Sequence, residues 1–310
     1  MADHPPERRG PTSRLGPFFL PAFLLISSCT PPDFLQDGTE RAHRFAQANG
    51  WTYREFRTST FTLAGFHRGF REETSDELVV YIEGDGQPWA TPYRVSSDPT
   101  PPAPILLPIA TADPAPRVLY LARPCQYTGP AAPGCRPEYW TSHRYSETVL
   151  RAIEEAIDQA VATTRSRRIS LVGYSGGGQI AIILAARRRI ASVITVAANL
   201  DHAAWTRLHG DTPLDGSLNA ADFAASVASV PQAHLVGGGD KLVPPEIVQS
   251  YLRRMPHPSP VYFKIIPSYD HECCWVETWP ALLSEVRSWL RSRGEADSRS
   301  GLRGALSPPL

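Results

Sequence analysis

The sequence predicts an α/β fold, with a mostly parallel central sheet flanked by helices on both faces. Short apolar runs rich in β-branched residues, such as 77–82 and 169–172, alternate along the chain with amphipathic stretches such as 146–163. The run at 77–82 is continuously apolar after Glu77, which is typical of a parallel strand buried on both faces. Regular alternation of strands with helices favours such a sheet over a sandwich or a bundle.

The composition is that of an ordinary globular protein. The 310 residues are 42% hydrophobic, which leaves room for one large core. Lys and Arg together number 31, as do Asp and Glu, so the formal net charge is +0. This balance gives no indication of a nucleic-acid partner or of an acidic one.

Residues 1–28 have the organisation of a signal peptide. Three arginines precede an apolar stretch at 18–26, which is too short to span a membrane. The letters ISSC at 26–29 follow, and they resemble the lipobox of bacterial lipoproteins. That resemblance implies cleavage before Cys29 and lipidation of Cys29, which would anchor the protein stably to a membrane. A plain secretory signal with an incidental Cys29 is the alternative.

The same resemblance implies an exported protein at the outer membrane, facing the periplasm. Thr30 follows Cys29, whereas an aspartate there resembles an inner-membrane retention signal. We expect 29–50 to be a tether that ends in a short helical stretch from Thr39 to Ala48. Residues 51–293 are then the folded domain, and 294–310 form a disordered tail of Ser, Arg, Gly and Pro.

Four cysteines remain in the exported chain besides Cys29. An oxidising compartment and an even number predict disulfides, with three possible connectivities. Cys125 with Cys135 would close a short loop and leave Cys273 with Cys274 as a vicinal pair, whereas crossed pairing between the two loops is the alternative. The cysteines and histidines lack zinc-site spacing, so no metal is predicted. No residue indicates an organic cofactor.

The domain is expected to begin with a β-hairpin at 51–71. The later strands are predicted at Glu77–Ile82, Arg117–Ala122, 169–172, Ser192–Ala197, His234–Val236 and Val261–Ile266, and the helices at Ser146–Thr163, directly after Ser175, at Pro245–Arg254 and from about Trp279 to Arg291. Six prolines make 88–104 a long irregular loop after a central strand, a position that favours a functional loop. The short insertion at 201–231 predicts a small or minimal cap.

Chemistry is expected at the turn with the letters GYSGG, residues 173–177. Glycines tolerate the crowding and the positive φ of a sharp strand-to-helix turn, which presents the Ser175 hydroxyl. A serine hydroxyl needs a base to remove its proton, and the base needs an orienting acid. His271 and Asp240 each follow a predicted strand, at the edge of the sheet where ligands bind. Asp201, after the preceding strand, is the rival acid.

The order Ser175, Asp240, His271 and the surrounding letters resemble the α/β-hydrolase superfamily over most of the mature chain. The letters GYSGG are similar to its nucleophile elbow, and GDKLVP at 239–244 is similar to its acid loop. The resemblance implies the α/β-hydrolase fold, with Ser175 as nucleophile, His271 as base and Asp240 as acid. The chain is also similar to uncharacterised hydrolase-like bacterial lipoproteins.

The resemblance also implies an oxyanion hole. The letters EGDG at 83–86 take the place of the superfamily's His-Gly oxyanion loop, with Glu83 instead of the histidine. By alignment, the backbone N–H groups of Asp85 and Gly176 are the expected donors, and Gly86 is the alternative to Asp85.

The other polar and aromatic residues near these positions are interpreted as structural. Asp270 is expected to be a surface or supporting carboxylate, and Trp275 is expected to fix the histidine loop. The remaining members of this group are Tyr174, Trp89, Trp140, Trp279, His202 and His209, interpreted as core, surface or pocket-lining side chains.

These observations predict a serine hydrolase that forms an acyl-enzyme. The leading reaction is hydrolysis of a carboxylic ester, on a small molecule or an envelope component, without nucleic acid. A peptidase or an acyltransferase acting on envelope substrates stays open, because a triad does not choose the leaving group. The third possibility is a non-catalytic lipoprotein that has the hydrolase fold and uses it only as a binding module.

Overall fold

A computed structural model describes residues 37–304, with side chains as far as residue 293. The predicted signal peptide, Cys29 and the first part of the tether lie outside the described residues. Among the residues that are described, no helix is both long enough and apolar enough to cross a membrane.

The chain alternates between strands and helices, as expected. The elements are α1 (Gly38–Ala48), β1 (Thr52–Arg57), β2 (Thr62–Arg68), β3 (Glu77–Ile82), β4 (Trp89–Thr91), β5 (Arg94–Val95), α2 (Leu106–Thr111), β6 (Val118–Leu121), α3 (Glu147–Thr164), β7 (Arg168–Tyr174), α4 (Gly176–Arg187), β8 (Ser192–Val196), α5 (His202–His209), β9 (Gln232–Gly237), α6 (Pro245–Leu252), β10 (Val261–Ile266) and α7 (Trp275–Gly304). Two 3₁₀ turns, Pro137–Trp140 and Ala220–Phe223, complete them.

Eight strands form one sheet in the order β1-β2-β6-β3-β7-β8-β9-β10. Strand β2 is antiparallel to both of its neighbours, and the contacts from β6 to β10 are all parallel. Ile82 lies opposite Gly173, and Tyr174 lies opposite Val196, so these central strands end level with one another. The segments that follow them therefore meet at one edge of the sheet, where α/β proteins bind ligands.

Side chains on the two faces of the sheet form two hydrophobic clusters. On β7, Leu171 belongs to the cluster that contains α3 and α4, whereas Val172 belongs to the cluster that contains α1, α2 and α7. Neighbouring residues point to opposite faces because the side-chain period of a strand is two. The prediction of a mostly parallel sheet with helices on both faces is confirmed.

Helix α3 shows how local sequence signals set the elements. Its N-cap is Ser146, whose hydroxyl accepts a hydrogen bond from the Val149 N–H at 3.4 Å. Its buried residues recur at helical spacing, and Arg165 ends the helix in the left-handed conformation, with φ of 54°. The prediction of 146–163 differs from this helix by one residue at each end.

The structure corrects the boundary between tether and domain. Helix α1 buries Ala42 and Ala46 in the same cluster as Trp51. Two alanines four residues apart give the helix a small, flat face that can lie against the sheet. The folded domain therefore includes 37–50, which the sequence analysis had assigned to the tether.

The structure also corrects the last helix and the predicted disordered tail. Helix α7 begins at Trp275 instead of about Trp279, and its backbone is helical to Gly304 instead of ending at Arg291. Pro280 lies in its second turn and lacks the N–H that would donate to the carbonyl of Val276, so the helix loses one hydrogen bond there. The segment from 292 to 304 has no proline, so every backbone N–H can donate a helical hydrogen bond, although its three glycines are poor helix formers. The rest of the predicted tail, 305–310, lies outside the described residues.

Two regions expected to be irregular contain short elements. The proline-rich segment after β3 holds the β4–β5 hairpin and is followed by α2, and the insertion after β8 holds α5 and a 3₁₀ turn. The sulfur atoms pair Cys125 with Cys135 and Cys273 with Cys274, so the crossed alternative is not observed.

Candidate active site

Ser175 occupies the turn between β7 and α4 in a strained conformation. Its φ is 50° and its ψ is −121°, a combination that costs free energy for a residue with a Cβ. Three backbone bonds hold it there. The Ser175 N–H donates to the Val196 carbonyl at 3.0 Å, and the Ser175 carbonyl accepts from the N–H groups of Gly178 and Asn199 at 3.1 and 3.2 Å. The hydroxyl is thereby presented at the edge of the sheet.

Two glycines of the turn are required by close backbone contacts. A Cβ on Gly177 would strike the carbonyl oxygen of Ile82, and a Cβ on Gly173 would strike the backbone of Gly177. The strand and the helix can therefore approach closely enough for the sharp turn. This is the local reason that the GYSGG letters fold as the sequence predicts.

The structure brings Ser175, His271 and Asp240 into one hydrogen-bonded chain. The His271 Nε2 lies 3.0 Å from the Ser175 Oγ, and the His271 Nδ1 lies 2.8 Å from the Asp240 Oδ2. The other carboxylate oxygen of Asp240 accepts from the N–H groups of Leu242 and Val243 at 2.9 and 2.7 Å. These backbone donors fix the fully buried carboxylate so that it faces the imidazole.

The loop that carries His271 is held by two aromatic side chains. The Tyr174 hydroxyl donates to the carbonyl of His271, and the Trp275 Nε1 donates to the carbonyl of Asp270, each at 3.0 Å. The Asp270 carboxylate accepts from the N–H groups of Glu272 and Cys273 at 2.9 and 2.6 Å, so it shapes the loop. Asp270 and Trp275 thus have the supporting positions that the sequence analysis expected.

Asp201, the rival acid, makes a different set of bonds. It is the N-cap of α5, and its Oδ1 accepts from the Ala204 N–H at 3.1 Å and the Asn219 amide at 2.9 Å. Its Oδ2 accepts from the Ser250 hydroxyl at 2.6 Å. Burial raises the pKa of this carboxyl, but the bonds from Ser250, Asn219 and Ala204 and the charge of Arg254 bring the pKa below its usual value. Asp201 stabilises the insertion and does not contact His271.

The loop after β3 begins with a buried carboxyl group. The Tyr120 hydroxyl donates to the Glu83 Oε2 at 2.5 Å, and the Gly84 N–H donates to the Glu83 Oε1 at 2.8 Å. Burial raises the pKa of Glu83 to about 7, although these two bonds and the charge of Arg123 act in the opposite direction. The hydrogen bonds of Glu83 therefore fix the start of the loop, and its carboxyl group titrates near neutral pH.

Asp85, the next acid of this loop, is held by cations. Its carboxylate lies 3.0 Å from the Arg123 Nη1 and 2.9 Å from the Arg144 Nη1, and it accepts from the Tyr145 hydroxyl at 2.7 Å. Burial raises the pKa of Asp85, but the two guanidiniums and the Tyr145 hydroxyl offset this and hold the pKa below its usual value. The carboxylate packs against Gly176, where a Cβ would collide with it.

The expected oxyanion donors lie next to the nucleophile. A Cβ on Gly84 would be 3.2 Å from the Ser175 Cβ, so the loop touches the serine. Among the described residues, no acceptor bonds the N–H groups of Asp85, Gly86 or Gly176. All three remain available to a negatively charged oxygen, and the choice between Asp85 and Gly86 stays a prediction.

Ser175 and His271 line an open cleft of about 1040 Å³ at the carboxyl edge of the sheet. The oxyanion loop forms one side of the cleft, and the β4–β5 hairpin contributes the half-exposed side chain of Trp89. Leu214 and Leu242, from the insertion and the acid loop, also line the cleft. The proline-rich segment thus forms part of the cleft, as its position in the sequence suggested.

Several other residues named in the sequence analysis lie away from the reacting groups. Trp140 and Trp279 are buried, and the Trp140 Nε1 donates to the Ser96 carbonyl at 3.2 Å. His202 is buried beside the Tyr145 ring, and a ring nitrogen of His209 lies 3.0 Å from the Leu242 carbonyl oxygen. Within residues 37–304, no group of three His, Cys, Asp or Glu side chains is arranged to hold a metal ion.

Arg123, Arg144 and Tyr145 were missed by the sequence analysis. Arg123 follows β6, so the rule that chemistry collects at strand ends could have identified it. Arg144 and Tyr145 precede α3 in an irregular segment, where no periodicity or motif draws attention to them. Only the folded chain shows that they converge on Asp85.

The chain is similar in structure to several solved hydrolases, all at low sequence identity. An esterase of Pyrococcus furiosus is 17% identical, with a TM-score of 0.56 over 79% of this chain and 93% of the esterase. An acylaminoacyl peptidase of Pyrococcus horikoshii is 12% identical, with a TM-score of 0.57 over 78% of this chain and 40% of the peptidase.

A third similar structure is a serine hydrolase from Xanthomonas campestris, described as lacking a lid. It is 11% identical, with a TM-score of 0.51 over 78% of this chain and 94% of that hydrolase. No protein-family model matches the sequence, and no curated protein matches it either. The sheet order, the antiparallel second strand and these structural similarities together show that the chain has the α/β-hydrolase fold.

Proposed function

We propose that this protein is a serine hydrolase that cleaves carboxylic esters through an acyl-enzyme. The observation that carries the proposal is the hydrogen-bonded chain from Ser175 through His271 to Asp240, at 3.0 and 2.8 Å, in an open cleft. A serine, a histidine and a buried carboxylate in this order are the parts that nucleophilic acyl transfer needs.

In the first half of the reaction, the Ser175 Oγ attacks the ester carbonyl. His271 accepts the hydroxyl proton at Nε2, while Asp240 keeps the other proton on Nδ1 and stabilises the imidazolium that forms. His271 then gives its proton to the departing alcohol oxygen as the carbonyl re-forms. The products of this half are the free alcohol and an acyl group on Ser175.

In the second half, water replaces the alcohol. His271 removes a proton from the water as the water oxygen attacks the acyl carbonyl, and it returns that proton to the Ser175 Oγ when the carboxylic acid leaves. In both halves the carbonyl oxygen becomes negative. The N–H groups of Gly176 and of Asp85 or Gly86 would stabilise this oxygen, and loss of one such donor typically costs about 10²–10³ in rate.

Ester hydrolysis is favoured over peptide hydrolysis by the open cleft and by the similar structures. Two of the similar proteins reported above are an esterase and a hydrolase without a lid, although the third is an acylaminoacyl peptidase. The insertion after β8 adds only α5 and a 3₁₀ turn, which leaves the cleft accessible to a small or medium ester.

We also propose that the mature protein is exported and anchored through lipidated Cys29. Seven residues separate Cys29 from the N-cap Asp37, so the chain between them takes eight Cα-to-Cα steps and spans at most about 28 Å. The anchor would therefore keep the domain close to the membrane surface. Growth of producing cells with an alkyne fatty acid should label the protein but not its Cys29→Ser variant, and equal labelling of both would contradict the anchor.

The hydrolase proposal is tested by turnover with matched esters and amides. Purified full-length protein would be assayed with p-nitrophenyl esters of increasing acyl length and with the corresponding p-nitroanilides, beside Ser175→Ala. We expect wild type to hydrolyse the short and medium esters, and Ser175→Ala to lose at least about 10⁴ in kcat. Preference for the anilides would favour a peptidase, and a folded protein inactive on the whole panel would favour a binding module.

A further inference from the structure

The pair of arginines beside the oxyanion loop carries an inference about the substrate. We propose that Arg144 binds a carboxylate of the substrate, so that this hydrolase acts on esters that carry a negative charge. The inference rests on the proposed function, because it assigns the substrate class of the same cleft.

The first observation is a charge imbalance at Asp85. Two guanidiniums, those of Arg123 and Arg144, share this single carboxylate at 3.0 and 2.9 Å. Their side chains are only 5% and 7% exposed, so water does little to screen them. One positive charge remains uncompensated in a nearly dry place, and such a charge is costly unless another anion approaches it.

The second observation is that Arg144 lines the cleft, and that its Nη2 bonds no carboxylate or carbonyl of the described residues. Its Nε donates to the Thr141 carbonyl at 2.7 Å and its Nη1 bonds Asp85, and the guanidinium also interacts with the adjacent Tyr145 hydroxyl; among residues 37–304, its Nη2 bonds no carboxylate or carbonyl. Arg144 lines the cleft together with Ser175. Arg123 differs, because its Nη2 donates to the Arg144 carbonyl and its Nε is enclosed, and it does not line the cleft.

The third observation is the position of this cation relative to the nucleophile. The Asp85 carboxylate that binds Arg144 also packs against Gly176, the residue directly after Ser175. A substrate whose carbonyl lies at the Ser175 Oγ therefore has Arg144 within reach of its substituents. The bonds to Asp85 and Thr141 hold the guanidinium in place before a ligand arrives, which lowers the entropy cost of binding.

Other acids of the cleft do not neutralise this charge fully. Glu272 and Asp211 line the cleft but are exposed, so water and salt screen them. Glu83 is nearer, but its two oxygens bond the Tyr120 hydroxyl and the Gly84 N–H instead of a guanidinium. With its pKa raised to about 7 by burial, it is only partly ionised at neutral pH.

The chemistry of the site fits a carboxylate. Two guanidiniums against Asp85 leave one residual charge, which a monoanion balances, whereas a phosphate monoester brings close to two charges. A guanidinium donates well-directed hydrogen bonds to planar carboxylates, and these charge-assisted bonds are stronger than neutral ones.

The test compares esters that differ only in charge. Acyl-side substrates are p-nitrophenyl hydrogen adipate, its neutral methyl ester, and the cationic p-nitrophenyl 6-aminohexanoate. An alcohol-side pair is 3-carboxyphenyl butyrate and its neutral methyl ester. For each substrate, kcat/KM of full-length protein is divided by the rate of hydroxide hydrolysis, which removes differences in intrinsic reactivity.

We expect wild type to prefer the anionic ester of at least one pair by about 10- to 100-fold, the value of a hydrogen bond to a charged group. Arg144→Gln should remove this preference, and Arg144→Lys should keep part of it. Arg94→Gln is the matched control, because it removes an exposed arginine of the β4–β5 hairpin that does not line the cleft. It should leave the preference as in wild type.

The outcomes separate this inference from the proposed function. Hydrolysis of neutral and anionic esters at equal normalised rates in both pairs would overturn the inference and leave the serine hydrolase standing. A preference that persists in Arg144→Gln would also overturn it. The comparison of anionic and neutral esters on the wild-type protein can be made even if no variant folds. Absence of hydrolysis on every ester would overturn both proposals.

Discussion

Two buried aspartates flank Ser175, and their partners give them opposite roles. Asp240, after β9, contacts a histidine, whose proton can move, at 2.8 Å. Asp85, after β3, contacts two arginines, whose protons stay in place, at 3.0 and 2.9 Å. Both carboxylates accept hydrogen bonds at the same edge of the sheet, but only the one beside the histidine can take part in a proton-transfer step.

The comparison teaches that the partner decides what a buried carboxylate does. On the Asp240 side, the carboxylate orients a base and stabilises the charge that the base acquires. On the Asp85 side, the carboxylate positions two fixed cations and the loop that carries the expected oxyanion donors. Asp201 is a third case, because its bonds to Ser250 and Asn219 leave it only a structural role.

The largest effect is expected from Asp240→Asn. Asparagine can still accept from Leu242 and Val243, but it cannot hold the same imidazole tautomer or stabilise the imidazolium. We expect kcat to fall by about 10⁴, equally for neutral and anionic esters, with a nearly unchanged melting temperature. A loss of less than about tenfold would contradict the assignment of the acid.

Asp85→Asn should act mainly on stability and charge preference. Removal of the carboxylate leaves two buried guanidiniums without an anion, so we expect the free energy of unfolding to fall by about 3–5 kcal/mol. Denaturation by urea measures this, and Asp240→Asn is the matched control. Among molecules that remain folded, the preference for anionic over neutral esters should rise, whereas an unchanged or lower preference would contradict the charge balance described for Arg144.

Asp201→Asn separates the third aspartate from the other two. The substitution disturbs the bonds to Ala204 and Ser250, so the free energy of unfolding should fall by about 1–3 kcal/mol. Because Asp201 does not contact His271, kcat should stay close to the wild-type value. A large loss of kcat in a folded variant would instead make Asp201 part of the catalytic machinery.

The smallest effect is a pH dependence on the Asp85 side. The pKa of Glu83 is raised to about 7, so this carboxyl is mostly neutral in the folded protein at pH 6 and mostly ionised at pH 8. Its neutral form leaves more of the positive charge near Arg123 uncompensated. We therefore expect the ratio of kcat/KM for anionic over neutral esters to be a few-fold higher at pH 6 than at pH 8.

A ratio of two substrates cancels any effect of pH that acts equally on both. The groups facing Glu83 are the hydroxyls of Tyr120, Tyr127 and Tyr174 and the guanidinium of Arg123. Burial raises the pKa of each of these tyrosines, so none of them ionises between pH 6 and 8. Glu83→Gln should flatten the ratio, and a pH dependence that survives this substitution would contradict the role of Glu83.

The sequence was sufficient for the parts of the fold that follow from local patterns. The strand at Val261–Ile266 was predicted with its observed bounds, and the turn at Ser175 followed from glycines that the backbone requires. The end of α7 was not predicted, because Gly294 lies just after the amphipathic periodicity stops and is typical of a helix end, yet the helical backbone continues to Gly304. Helix α1 was assigned to a tether because two small buried alanines give only a weak signal.

The site was predictable where residues follow strands. Asp240 and His271 each follow a strand and could be placed at one edge before the structure was known. Arg144 lies in an irregular segment, and its meeting with Asp85 depends on tertiary packing across 59 residues of sequence. Pattern alone could not identify it, because the same arginine on the surface would give the same sequence.

The most direct test of the central claim is reaction of full-length protein with a fluorophosphonate, followed by mass spectrometry of the adduct and of its peptides. The account predicts one adduct, on Ser175, with no adduct in Ser175→Ala. Labelling should be strongly slowed in Asp240→Asn and close to the wild-type rate in Asp201→Asn. A folded wild-type protein that stays unlabelled, or slow labelling of Asp201→Asn with fast labelling of Asp240→Asn, would contradict the account.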